Sequence, residues 1–184
     1  MGLNLKVKMS NYPNTKIHNT LPKILKHRAD TIPNTVALRD KDLGIWNEIT
    51  WKQYNDNVSY LALGLAKRGF KAGDVLGLIG DNKPSWIFFE LAAQAAGGMS
   101  LGVYRDTLDE EVGYLMDAAK VSFVYAEDQE QVDKILTIKR PKNNPINIFY
   151  DDSRGLKELN DPNITDMLDL INEGKALTSK DPEK

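Results

Sequence analysis

The sequence predicts an α/β protein with a mostly parallel, doubly wound sheet and a β-hairpin near its N-terminus. Two observations favour this class. Short apolar runs alternate with helical patterns, and the connections between them are short; the runs cover residues 75–79, 99–103, 121–126 and 146–150. Parallel neighbours need a crossover, which is right-handed and usually contains a helix, so the alternation predicts helices on both faces of the sheet.

The region before the first apolar run predicts a helix, a hairpin and a second helix. Thr20 caps a short amphipathic helix that continues to Pro33, and residues 36–50 predict a β-hairpin. Thr50 and Gln53 form a capping box at the start of the second helix. The apolar stripe of that helix consists of Tyr54, Val58, Leu61, Ala62 and Leu65.

Three more helices are predicted between the apolar runs. The first spans Pro84–Ala96 and stops at a glycine pair. In the second, Thr107 and Glu110 form a capping box for a helix that ends at Ala119. The third spans Gln129–Ile138 and leads to the last apolar run.

Three regions are expected along the chain. Residues 1–19 are expected to be a flexible N-terminal segment, and residues 20–150 to form the α/β subdomain. Residues 151–184 are polar and rich in turn-forming residues, with a brief helix from Thr165 to Glu173. This last region is expected to be a tail or linker.

Composition excludes several classes of function. The formal net charge is −2 and the basic residues are dispersed, so nucleic acid is not an expected partner. The absence of cysteine excludes disulfides, thiolate zinc sites and a cysteine nucleophile. No apolar stretch is long enough for a membrane span. The expected location is cytoplasmic, with peripheral contact to a membrane left open.

The stretch Gly80-Asp81-Asn82-Lys83 raises the question of a phosphate loop. A Walker loop needs two glycines followed by Lys and Ser or Thr, and a Rossmann fingerprint needs three glycines in G-x-G-x-x-G. Neither pattern is present. The simpler interpretation is a tight strand-to-helix turn. A binding role stays open because loops at the carboxyl ends of parallel strands line the ligand crevice of α/β proteins.

Arg105 follows the second apolar run and is expected at the same edge of the sheet. Its guanidinium could make a bidentate contact with a phosphate. It could instead pair with Asp106 or Asp109 and order its loop. The candidate cofactor-binding residues are Gly80, Asn82, Lys83 and Arg105.

Other ionisable clusters do not predict a metal site. The histidines, His18 and His27, lack the i, i+4 spacing of a helical metal pair and are expected at the surface. The acidic sets Asp109–Glu111 and Glu127–Glu130 lie where helices begin, and carboxylates there interact favourably with the helix dipole. Solvated helix starts explain both sets.

Three aromatic residues fall on the helix that begins at Pro84. Trp86, Phe88 and Phe89 could line an acyl pocket, but a helix between two strands normally buries its aromatic side chains in the core. Core packing is the simpler interpretation. No nucleophile–base pair accompanies these residues, so no catalytic residue is predicted.

Four segments, in this order, resemble a known family. They are I-T-W-K-Q-Y at Ile49–Tyr54, K-A-G-D at Lys71–Asp74, N-x-P-x-W at Asn82–Trp86 and G-V-Y-R-D at Gly102–Asp106. Together they resemble the beginning of an adenylate-forming enzyme and are most similar to bacterial long-chain acyl-CoA synthetases. The resemblance covers roughly residues 20–160.

The resemblance implies a two-step chemistry. A carboxylate attacks the α-phosphate of ATP to give an acyl-adenylate and pyrophosphate, and the thiol of coenzyme A then displaces AMP. The family uses a Thr/Ser/Gly-rich loop ending in Pro-Lys-Gly, an acid that holds Mg²⁺, an aspartate on the ribose and a lysine in a mobile C-terminal domain. This sequence contains none of them.

The expectation from the resemblance is the N-terminal subdomain of an ATP-dependent long-chain fatty acid–CoA ligase. By itself it is expected to be inactive and to bind none of fatty acid, ATP, Mg²⁺ or coenzyme A tightly. In related synthetases this subdomain supplies part of the surface for coenzyme A, and the matching loops are Gly80–Lys83 and Tyr104–Asp106. The alternative is a stand-alone, non-catalytic module that binds a nucleotide or a protein. A homo-oligomer is left open.

Overall fold

A computed structural model describes residue 14, residues 16–139 and residues 145–178. Residues 1–13 and 15, which belong to the segment expected to be flexible, lie outside the described residues. The elements follow in chain order: α1 (Leu21–Thr31), β1 (Val36–Asp42), β2 (Ile45–Thr50), α2 (Trp51–Lys67), β3 (Val75–Ile79), α3 (Pro84–Ala95), β4 (Met99–Val103), α4 (Asp109–Ala118), β5 (Phe123–Ala126), α5 (Gln129–Leu136), β6 (Asn147–Tyr150), β7 (Ile164–Asp166) and α6 (Met167–Thr178).

Five parallel strands form the central sheet, in the order β4-β3-β5-β6-β7. The predicted α/β class and mainly parallel sheet are confirmed. The four expected strands are present, although β5 begins at Phe123 rather than Val121. The chain runs from β3 outward to β4 and then crosses back to β5, so β3 lies between them.

β4 forms one edge of this sheet. Its sequence, Met99-Ser100-Leu101-Gly102-Val103, contains no charged residue and no proline. Within the described residues, β3 is the only strand that pairs with it. The outer side of β4 therefore presents a row of backbone N–H and C=O groups without a strand beside them.

The predicted hairpin is a separate two-stranded antiparallel sheet of β1 and β2, apart from the centre of the main sheet. Its turn contains Leu43 at φ 46° and Gly44 at φ 84°, as a tight hairpin turn requires. Leu38 and Ile49, near the base, pack against the core. The hairpin is therefore anchored at its base, while Trp46 near the tip is 62% exposed.

Side-chain caps start two helices, α1 and α2, at the residues that the sequence predicts, Thr20 and Thr50. In the capping box of α2, the Thr50 hydroxyl accepts from the Gln53 N–H and the Gln53 side chain accepts from the Thr50 N–H. The second predicted capping box is wrong. Leu108 occupies the N-cap of α4, which has no side-chain cap. Thr107 therefore lies one residue outside the position from which its hydroxyl could cap the helix.

Two hydrophobic clusters cover the two faces of the sheet, as a doubly wound fold requires. On one face, α1, α2, α3 and α6 pack around residues such as Leu61, Phe89 and Phe149. On the other, α4 and α5 pack around Met116 and Val124. The core interpretation of Phe89 is confirmed, since it is fully buried and its ring lies 4.8 Å from that of Tyr125.

The expectation that the region after Asp151 is only a tail or linker is corrected, because this region adds a strand and a packed helix to the fold. Ile164–Asp166 forms β7, which pairs with β6, and the helix begins at Met167 rather than Thr165. Leu170 of α6 is fully buried. The sequence does not predict β7, because a strand of three residues is too short for a clear alternating pattern.

α6 packs closely on α2 through two glycines. A Cβ at Gly64 would lie 2.6 Å from the carbonyl oxygen of Leu170, and a Cβ at Gly174 would overlap the carbonyl oxygen of Tyr60. Glu173 closes the contact with ion pairs to Arg68 at 2.5 Å and Lys67 at 3.1 Å. The C-terminal helix is thus part of the folded unit.

The ion pairs of Glu173 predict a pH-dependent share of stability. The hydrogen bond from Arg68 holds the pKa of Glu173 below its ordinary value, although burial opposes the shift. A carboxyl with a lowered folded pKa stabilises above its unfolded pKa, and the contribution is lost as pH falls through the folded pKa. We expect Glu173→Gln to lower the free energy of unfolding at pH 7 by about 1 kcal/mol, since the pair is partly exposed.

Urea denaturation of wild type and Glu173→Gln at several pH values checks this prediction. The difference should shrink as the pH falls from about 5 to 3, because the wild-type carboxylate becomes protonated there. Glu48→Gln is the matched control, because the Glu48–Arg39 pair is exposed on both sides. A difference that stays constant down to pH 3 contradicts the assignment.

Candidate functional site

The loops after β3, β4, β5 and β6 meet at the carboxyl edge of the sheet. Gly80, Asn82 and Lys83 follow β3, and Arg105 follows β4. The direction of winding reverses at β3, because β4 lies on one side of it and β5 on the other. Open α/β sheets bind ligands at such a reversal. The loops after β3 and β5 therefore flank the expected crevice.

Glu127, the first residue after β5, fills that crevice. Its carboxylate accepts a hydrogen bond of 2.5 Å from the Asp81 N–H and contacts Nζ of Lys83 at 2.6 Å. The Glu127 N–H donates to the carbonyl of Ile79 at 3.0 Å. Glu127 is only 4% exposed. One buried carboxylate thus joins the loop after β3 to the end of β5.

Gly80 allows this close approach. Its φ is +152°, and a Cβ at this position would lie 2.6 Å from the Cβ of Glu127. Any side chain would therefore need both a rare backbone conformation and a shift of Glu127. The interpretation of Gly80–Lys83 as a tight turn between strand and helix agrees with this geometry, because α3 starts at Pro84.

Lys83 is held as a cation by the carboxylates around it. Burial by itself lowers the pKa of Lys83, but the hydrogen bond and charge of Glu127, with the charges of Asp151 and Asp152, outweigh burial and raise it. The ammonium is charged at neutral pH, and its contact with Glu127 balances that charge.

Arg105 is also paired. Its guanidinium lies 2.6 Å from a carboxylate oxygen of Asp81, 3.8 Å from Glu130 and 4.0 Å from Asp106. The charge of Asp81 raises the pKa of Arg105 further. Asp109 is not among its partners in the described residues. Arg105 therefore links the loop after β3 to α5. The sequence analysis foresees the pairing with Asp106 but not those with Asp81 and Glu130.

A cavity of about 420 Å³ opens at the carboxyl ends of β3 and β4. Two aromatic residues and an asparagine line it, and none of the described residues in its walls is charged. Its walls are Gly80, Asn82, Trp86, Gly102, Val103 and Tyr104. Of the four candidate residues, the structure brings Gly80 and Asn82 together at this cavity, while Lys83 and Arg105 are turned toward carboxylates outside it.

A network of buried and partly buried polar side chains contacts the first turn of α3. The Ser85 hydroxyl lies 2.6 Å from a carboxylate oxygen of Asp151 and 2.8 Å from the hydroxyl of Tyr125. With Asp151 as acceptor, Ser85 donates to it and Tyr125 donates to Ser85. Burial raises the pKa of Tyr125 well above its ordinary value. The first turn of α3, strand β5 and the loop after β6 are thereby joined.

Sequence reasoning missed Glu127, and its interpretation as a solvated helix start is wrong for this residue. A signal was available: Glu127 is the first residue after a strand, as Gly80 is, and such positions face the carboxyl edge. The acidic set on α4 behaves as predicted, because Asp109, Glu110 and Glu111 are exposed at the helix start.

No metal centre is formed by the described residues, which contain no group of three or more His, Cys, Asp or Glu able to hold an ion. His18 and His27 lie together, with ring centroids 4.3 Å apart and the planes tilted by 33°. Both histidines are partly exposed.

The model of the AMP-binding enzyme family matches residues 25–180. The chain belongs to the AMP-binding enzyme family. The long-chain-fatty-acid–CoA ligase ACSBG2 of Mus musculus is 29% identical over 123 residues, which cover 67% of this chain and 18% of that protein. The same ligase of Rattus norvegicus is 27% identical over 158 residues, 86% of this chain and 24% of that protein.

Two solved structures share the fold. An acyl-CoA synthetase of Brucella canis superposes with a TM-score of 0.66 at 17% identity, over 77% of this chain and 25% of that one. The A-PCP didomain of carboxylic acid reductase from Segniliparus rugosus gives 0.69 at 12% identity, over 90% and 29%. At these identities the likeness shows the fold alone.

The two ligases therefore extend well beyond the part that this chain matches, which is about a fifth of their length. The chain has the fold of the N-terminal subdomain of adenylate-forming enzymes. None of the helices in the described ranges is long and apolar enough to cross a membrane.

Proposed function

We propose that this chain is the N-terminal α/β part of a long-chain fatty acid–CoA ligase and that it forms no acyl-adenylate by itself. The names of the curated relatives support the substrate class. In the complete enzyme, a fatty acid would react with ATP, and coenzyme A would then displace AMP. We place this activity in the cytoplasm.

The pairing of the two candidate cations carries the proposal. Stabilising a reacting phosphate requires preorganised positive charge aimed at it. Lys83 is bound to Glu127 and Arg105 to Asp81, each at 2.6 Å. Neither cation is directed at the cavity, so this edge of the sheet works as a wall of the enzyme and not as its adenylating centre.

ATP and Mg²⁺ do not fit the residues described. The sequence has no Thr/Ser/Gly-rich run ending in Pro-Lys-Gly. The described residues form no acidic or histidine cluster for a cation. We therefore assign no step of the reaction to this chain and place both groups on other parts of the ligase.

Coenzyme A fits the site in part. The cavity between Asn82, Trp86 and Tyr104 has aromatic walls and one amide, which suit a flat or amide-bearing neutral group. We propose that a neutral portion of coenzyme A, rather than its phosphates, contacts these residues. Arg105 then acts through Asp81 by holding the loop beside the cavity.

The first test is ATP–pyrophosphate exchange with the chain alone and a series of fatty acids. We expect exchange equal to the control without protein, because neither positioning nor charge for the reaction is present. A full-length long-chain fatty acid–CoA ligase assayed in parallel is the positive control. Exchange above background that heat treatment abolishes contradicts the proposal.

The reading frame downstream of Lys184 separates this proposal from a stand-alone binding module. A continuation into a Thr/Ser/Gly-rich run ending in Pro-Lys-Gly supports the ligase. A stop codon directly after Lys184 supports the module, for which the cavity lined by Trp86 and Tyr104 is the binding surface.

A further inference from the structure

The loop after β3 and the side chain of Lys83 form a pair of donors. The Asp81 N–H and the Lys83 ammonium both point at one carboxylate, at 2.5 and 2.6 Å. A backbone N–H and an ammonium converging at the end of a strand are the donors that a bound anion uses. Here the acceptor is a side chain of the protein itself, Glu127.

Glu127 also fixes the neighbouring loops through its backbone. Its carbonyl accepts from the N–H groups of Asp151 and Asp152, at 3.3 and 2.9 Å, and its own N–H donates to Ile79. The residue therefore reaches the loops after β3 and β6 from the end of β5. Its side chain has little freedom, because it is buried and packed against Gly80.

This contact determines one wall of the cavity. Gly80 and Asn82 line the cavity, and they flank Asp81, whose N–H the Glu127 carboxylate holds. A shift of the Asp81 backbone would move both neighbours. The Asn82 side chain is exposed and is therefore not held by the core. We expect the hydrogen bond from the Asp81 N–H to the buried Glu127 carboxylate to fix the backbone beside Asn82.

We infer that Glu127 is a positioning residue whose carboxylate permanently occupies an anion site between β3 and β5 and thereby sets the wall of the coenzyme A cavity. The inference rests on the proposed function for the coenzyme A contact, but not for the anion site. If the site is an anion site, a small carboxylate from solution should replace the Glu127 side chain when that side chain is removed.

The experiment uses the whole chain, labelled with ¹⁵N, as wild type and Glu127→Ala. In the variant, we expect the amide signals of Gly80–Lys83 to shift and the Asp81 amide to exchange about tenfold faster or more, because a charge-assisted hydrogen bond is lost. Acetate should restore these signals, whereas chloride at equal ionic strength should not. Coenzyme A should bind about tenfold more weakly to the variant, and acetate should reverse this loss.

Two further variants keep the test decisive. Glu130→Ala removes an exposed carboxylate in the first turn of α5, which pairs with Arg105 and Lys134, and it should show no acetate response at Gly80–Lys83. Glu127→Gln keeps an acceptor for Asp81 and is expected to fold if the alanine variant does not. Its Asp81 amide signal should move upfield, because the acceptor has lost its charge.

Each outcome has one meaning. Unchanged Gly80–Lys83 signals in both Glu127 variants, or restoration by chloride as well as acetate, overturn the anion site. Restoration by acetate without any effect on coenzyme A binding overturns the link to the cavity wall. If coenzyme A causes no signal shifts near Gly80 and Tyr104 in the wild type, the proposed coenzyme A contact is contradicted. The acetate response of the Glu127→Ala variant still decides the role of Glu127 in that case.

Discussion

Replacing Phe89 by alanine is expected to lower the free energy of unfolding by about 3–5 kcal/mol, the usual cost of emptying a buried phenylalanine site. Phe89 is fully buried, and its ring stacks against those of Tyr125 at 4.8 Å and Phe149 at 5.8 Å. These rings belong to two neighbouring strands in the middle of the sheet, so a cavity there cannot be filled by a small movement of one side chain.

Urea denaturation followed by circular dichroism measures this loss. Tyr114→Ala is the matched control, because Tyr114 is also aromatic and helical but 72% exposed, and its loss should stay within about 0.5 kcal/mol. A whole domain is stable by only about 5–15 kcal/mol, so the Phe89 variant should lose a large share of its stability and unfold at a clearly lower urea concentration. Equal losses for the two variants contradict the core assignment.

The second large effect is expected at the contact between α2 and α6. On helix propensity alone, Gly174→Ala should stabilise α6 by about 0.5–1 kcal/mol. The structure predicts the opposite sign, because the new Cβ would overlap the carbonyl oxygen of Tyr60, a backbone atom that cannot rotate away. Separating the helices should cost about 1–3 kcal/mol, as for other overpacked sites.

Gly113 offers a control with the opposite expectation. It lies inside α4, and the nearest atom to an added Cβ is Cγ1 of Ile138 at 3.9 Å. Gly113→Ala should therefore stabilise the chain by about 0.5–1 kcal/mol. Thermal melts of the two variants decide the matter: a stabilised Gly174→Ala would mean that α6 does not pack on α2 as described.

Much of the fold could be predicted because local sequence patterns indicate its helices and strands. Short apolar runs with glycines at their ends indicate strands, and the capping box at Thr50 indicates a helix start, whatever the rest of the chain does. β7 could not be predicted in this way. Its residues, Ile164–Asp166, form a strand only because the edge of β6 is available for pairing.

The candidate site was harder to predict because its partners are far apart in sequence. The sequence places Arg105 next to Asp106, but the closest carboxylate in space is that of Asp81. Glu127 lies 46 residues from Asp81, and only the strand order brings them together. The sequence predicts which residues lie at the carboxyl edge of the sheet. It does not predict which charged side chains pair with each other there.

The uncharged edge strand β4 has a consequence for the behaviour of this chain in a cell. Edge strands in stable monomers usually carry a lysine, a proline or a bulge that discourages other strands from adding to them. Met99–Val103 has neither lysine nor proline and pairs on one side only within the described part of the chain. The concentration at which isolated copies begin to aggregate should therefore depend on whether this edge is covered, more than on a net charge of −2.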